Sequence, residues 1–107
     1  MSEELKMAIA AVQRHGLEPF EKVARAIPAT LSGRAYERWI ERQARETARA
    51  SARLTKSGAV IEITDRAALI TIAGIEAMST LGFYQALKNW NGKACKAMRA
   101  FNRGARP

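Results

Sequence analysis

The chain has 107 residues, with 18 Lys and Arg against 10 Asp and Glu, for a formal net charge of +8. That length fits one domain, because two independent cores would have roughly 50 residues each, near the limit for folding alone. Hydrophobic residues at 48% and charged residues at 26% exclude a disordered chain, while a pI near 10.4 points to a polyanionic partner.

The first segment predicts a helix. Ser2 is placed to cap it, Glu3 and Glu4 sit at the positive end of its dipole, and Gly16 suits a left-handed position just past its end. Leu5, Ala8, Ile9 and Val12 recur at i, i+3, i+4 and i+7 on one apolar face. His15, in the last turn, complements the dipole. A second, shorter helix is expected over 18–27, with Pro19 in its first turn and Phe20, Val23, Ala24 and Ile27 along one face. Pro28 stops it, and Thr30 or Ser32 can cap the next helix.

A long helix over 33–55 is the most informative part of the chain. Arg34, Arg38, Arg42, Arg45, Arg49, Arg53 and Lys56 are spaced 4, 4, 3, 4, 4 and 3 residues apart. At about 100° per residue all seven fall within an arc of about 100°, a cationic ridge roughly 33 Å long. Tyr36, Trp39, Ile40, Gln43, Thr47, Ala50 and Leu54 occupy the other side. Glu41 can pair with Arg38 or Arg45, and Glu46 with Arg42 or Arg49, leaving the last turns of the ridge without an acid beyond Glu46.

After a linker, Lys56-Ser57-Gly58, the texture changes. Ala59-Val60-Ile61-Glu62-Ile63-Thr64 is rich in β-branched residues and predicts a strand. Asp65-Arg66 turns it into a hairpin with Ala67-Ala68-Leu69-Ile70-Thr71-Ile72, although that pair is not a preferred hairpin turn. A helix starting at Asp65 is the alternative. From Ala67 to Tyr84 the only charge is Glu76, but Gly74, Gly82 and the hydroxyl residues argue against a membrane span. A helix over 75–90 is expected next, ended by the turn signal Asn89-Trp90-Asn91-Gly92. The last helix, over 93–102, puts Ala94, Ala97, Met98 and Phe101 on one face and Lys93, Lys96, Arg99 and Arg103 on the other. Residues 104–107 form a frayed basic tail beyond a single domain over 1–103.

Chemistry is harder to find than charge. Cys95 is the only cysteine and His15 the only histidine, so an internal disulfide and a Cys/His zinc site are both excluded. Metalloprotease, serine-hydrolase and phosphate-loop motifs are absent; Gly92-Lys93 lacks the upstream glycine because position 87 is Leu. No catalytic residue, metal or cofactor is expected, and the chain is read as a non-enzyme. Two spacings approach that of a helix-turn-helix, 23–40 and 73–88. The first has too long a turn with Pro28 in it, the second is one residue too long, and neither points to a family.

The expectation is a mainly helical domain of about five helices with a short central β-hairpin around residues 59–72. Its function is expected to be cytoplasmic nucleic-acid binding, DNA or RNA, as a small regulator or accessory factor. Arg38, Arg42, Arg45, Arg49, Arg53 and Lys56 would contact phosphates from one helix, and Lys88, Lys93, Lys96, Arg99 and Arg103 from another. Tyr84 and Trp90 are stacking candidates for a single strand, with core packing the better reading of Trp90. The rival reading is a non-enzymatic adaptor or inhibitor docking its ridge on an acidic protein. A homodimer is expected from the apolar side chains Tyr36, Trp39, Ile40 and Leu54.

Overall fold

The computed structural model describes the backbone of residues 2–104 and the side chains of residues 3–101. In order, the elements are α1 (Ser2–Val12), a π-helical turn (Gln13–Leu17), α2 (Glu18–Arg25), α3 (Gly33–Lys56), β1 (Val60–Ile63), β2 (Ala68–Ile72), β3 (Ile75–Ser79) and α4 (Phe83–Gly104). Val12 and Glu18 both have right-handed helical backbone, so α1, the π turn and α2 form one continuous rod. Three rods therefore replace the expected five helices. The basic tail expected at 104–107 lies outside the described residues, apart from the backbone of Gly104.

Gly16 does not end the first helix, and its backbone is not left-handed. The cause of the irregularity is Pro19. A proline within a helix has no N–H to give and its ring crowds the carbonyl four residues back, here that of His15. The helix relieves this crowding by widening into the π turn. Gly16 is then kept without a side chain by packing: a Cβ there would lie 2.8 Å from Leu87 Cδ1 and 3.5 Å from Leu54 Cδ1. Here the first rod, α3 and α4 meet.

α3 runs to Lys56 and closes with a Schellman motif, the amide of Gly58 donating to Thr55 O and that of Ala59 to Leu54 O. Gly58 has φ +104, the left-handed geometry this cap requires. Ser32 occupies the N-cap position with extended backbone but makes no side-chain capping bond.

The strands form a three-stranded antiparallel sheet in the order β1-β2-β3, and not an isolated hairpin. The β1–β2 pairing is in register Val60↔Thr71 to Ile63↔Ala68, around Asp65-Arg66. Thr64 makes this turn workable: its Oγ1 accepts the amides of Arg66 and Ala67, the part glycine or asparagine would otherwise play. β3, expected as the start of a helix, pairs with β2 from Ile72↔Ile75 to Ala68↔Ser79. Its turn is Ala73-Gly74, both left-handed, with φ 51 and 76, a two-residue type I′ connection. Alanine at such a position is uncommon, which is why the sequence hides the turn.

α4 packs over β2 and β3, and Ala68, Ile70, Ala77 and Ser79 are buried beneath it. It runs straight through the expected break at 89–92. Trp90 is fully buried, and its indole N–H donates to Ile72 O and Ile75 O, on either side of the type I′ turn. Asn89 donates to Met78 O at 3.1 Å. The residues that signal a turn locally are used to hold the sheet.

At the other end α2 has no buried residue, and α3 buries nothing before Glu46. These segments form an arm, joined by the Trp39 indole N–H donating to Val23 O at 2.7 Å. The molecule is accordingly elongated, 59 × 25 × 22 Å.

Ala73→Asn should stabilise the protein by about 0.5–1 kcal/mol, since asparagine tolerates left-handed backbone better than alanine. Chemical denaturation of the two proteins side by side measures it.

Candidate nucleic-acid interface

The basic side chains fall into two stripes, one along α3 and one along α4. On α3, Arg34, Arg38, Arg42, Arg45, Arg49 and Lys56 are exposed. Among the described residues no carboxylate lies within 4.0 Å of any of them. The expected pairings of Glu41 with Arg38 or Arg45, and of Glu46 with Arg42 or Arg49, are therefore not formed. Glu46 instead takes Arg53, two turns along the helix, at 2.7 Å.

Arg53 stands apart from the rest of its stripe. Its Nε and Nη2 donate to His15 O at 3.2 and 2.9 Å, the carbonyl that Pro19 leaves without its ordinary helical donor. Glu46, only 8% exposed, accepts from the same Nη2. Helix geometry explains the difference. On the α3 wheel Arg53 lies at the edge of the arc, about 20° from Glu46, whereas Arg38 and Arg49 lie near its middle. That edge position is a sequence signal for a side chain the fold will use.

α4 repeats the pattern. Lys88, Lys96 and Arg99 are exposed and project within an arc of about 80°. Lys93 lies roughly 60° beyond Lys96, toward β3, and its Nζ donates to Glu76 O at 2.8 Å. Lys88, Lys93 and Lys96 line one shallow groove of about 440 Å³ with Met78, Asn89 and Gly92. Arg103 belongs to the same stripe by spacing, but its side chain lies outside the described residues. Leu54 of α3 and Leu87 of α4 both close on Gly16, on the side of each helix away from the exposed basic residues.

The aromatic side chains are committed elsewhere. Tyr84 stacks on Phe20 with ring centroids 4.6 Å apart and planes 12° from parallel, and its hydroxyl donates to Glu21 at 3.1 Å. Lys88 Nζ lies 5.3 Å from the centre of the same ring. Burial raises the Tyr84 pKa, the Glu21 hydrogen bond and charge raise it further, and Arg25 acts in the opposite sense. Of the side chains expected to face a second copy, Leu54 is buried in the core and Trp39 is half-buried against α2, so Ile40, at 44% exposure, is the one most open to solvent.

No helix among the described residues is long and apolar enough to cross a membrane. Nor does any group of three His, Cys, Asp or Glu among them sit close enough to hold a metal ion.

Arg53→Ala should cost about 2–3 kcal/mol in urea denaturation, because it strands a buried carboxylate and a carbonyl together. Arg49→Ala, on the solvated part of the stripe, should stay within about 0.5 kcal/mol. For Tyr84 the raised pKa gives the sign: its contribution is complete below the unfolded value near 10 and is lost as pH rises through the higher folded value. The stability gap between wild type and Tyr84→Phe should therefore hold steady to about pH 9 and shrink above about pH 10.

Compared with protein-family profiles, with curated proteins and with solved structures, the chain matches none.

Proposed function

We propose that the protein binds nucleic acid through its two basic helix faces, as a small regulator or accessory factor without catalysis. One observation carries the reading. Arg34, Arg38, Arg42, Arg45 and Arg49 line one side of α3, all exposed and none within 4.0 Å of a carboxylate among the described residues. Glu37, Glu41 and Glu46 stand at i±3 or i±4 from these arginines, the spacing that laces an ordinary wet face, yet none of them closes an ion pair with the row. Five cations held side by side repel one another, a cost that a polyanion removes when it binds.

Arginine outnumbers lysine twelve to six, and its planar fork suits phosphate oxygens. The α4 stripe adds Lys88, Lys96 and Arg99, with Lys93 at the edge of their groove. Arg53 supports the site from behind by fixing α3 to the π turn.

Docking of the ridge on an acidic protein is the second reading. It is favoured by the apolar side chains at the free end of the arm, Ile27, Leu31 and Ile40, which are 49%, 63% and 44% exposed. Co-purifying nucleic acid, seen as a raised ratio of absorbance at 260 to 280 nm, separates the two.

Replacing Arg45 and Arg49 by Gln should weaken binding regardless of base sequence and flatten the slope of log K against log salt by about 0.7–0.9 for each charge. Fluorescence anisotropy over a salt series reads both effects. An unchanged slope with a normally folded variant would remove α3 from the interface.

A further inference from the structure

We infer that the nucleic acid is double-stranded, an inference that rests on the reading just proposed. Proteins that hold single strands combine a basic groove with open aromatic faces, on which bases stack for about 1–3 kcal/mol each. The chain has seven aromatic residues, and the structure accounts for all of them. Trp90 and Phe83 are buried, and the Trp90 N–H is spent on the β2–β3 turn. Trp39 is tied to Val23 O, with Tyr36 tilted against it at 5.8 Å. Tyr84 and Phe20 cover each other, and Lys88 lies over Tyr84.

Phe101 remains, 48% exposed. On the α4 wheel it lies about 140° or more from Lys88, Lys96 and Arg99, and about 80° from Lys93, whose ammonium is turned to β3. A strand running over Lys88, Lys96 and Arg99 would not bring its bases to that ring. The exposed basic surface thus offers charge without a stacking platform.

Charge alone favours the duplex. Five arginines from Arg34 to Arg49 lie on a straight helix, spanning about 22 Å, so their spacing is set before any ligand arrives. A duplex is itself stiff and carries about one charge per 1.7 Å of its axis, so neither partner has to be ordered. A single strand would lose its flexibility on this row with no stacking to offset the loss.

The test is anisotropy with a labelled 25-base-pair duplex and with each of its separated strands, at several salt concentrations. The duplex is expected to bind at least tenfold more tightly at equal salt, and Phe101→Ala is expected to leave every affinity unchanged. Single strands binding as tightly as the duplex, or a loss of affinity in Phe101→Ala, would overturn the double-strand inference while leaving nucleic-acid binding in place. Absence of salt-dependent binding to any of the probes would overturn the proposed function itself.

Discussion

The geometry of this protein depends on one carbonyl oxygen. Pro19 cannot give His15 O its ordinary helical donor, and the strain of its ring widens the first rod into a π turn. Arg53 supplies the missing donors from α3, and buried Glu46 holds Arg53 in place. Near this point Gly16 lets Leu54 and Leu87 close on the rod from two helices. An irregularity of one turn thereby becomes the joint of three rods. Because the guanidinium bonds the carbonyl through two nitrogens, it fixes the roll of α3 as well as its position, and so sets where the cationic stripe faces.

The opposite end of the core is held by side chains doing backbone work. A small sheet with two edges is exposed to pairing with other strands unless its edges are managed. Lys93 and Asn89 from α4 occupy the carbonyls of Glu76 and Met78 on β3, and Trp90 holds the carbonyls beside the β2–β3 turn. A residue type that suggests solvent contact in the sequence, a lysine in a basic stripe, here protects a strand.

Much of this was legible in the sequence where one signal dominated. The 3.67-residue average spacing of the basic positions located α3 almost to the residue, and Gly58 marked its end. The β1–β2 pairing was recoverable from its β-branched residues. Legibility failed where tertiary contacts overrode local preference. Gly16 looks like a terminator but serves close packing, and Asn89-Trp90-Asn91-Gly92 looks like a turn but continues a helix. β3 is hidden because its turn uses alanine in a left-handed conformation, which joins 75–79 to the following helix in the sequence pattern. Within the site, the chain's periodicity placed the stripes on their helices. It did not separate the solvated middle of each arc from the edge residues Arg53 and Lys93, although their wheel angles carry that information.

The arm formed by α2 and the first half of α3 has a mechanical consequence. α3 is clamped over its second half, where Glu46, Ala50, Arg53 and Leu54 meet the core, and free over the rest apart from its contact with α2. It behaves as a cantilever, with local stability falling steadily from the clamp to the tip within a single helix. Fraying from Gly33 inward removes arginines from the row one at a time without disturbing the core. Such fraying belongs to heat and not to ligand encounter: at ordinary temperature the row keeps its helical register, and its tip is the first part that warming unwinds.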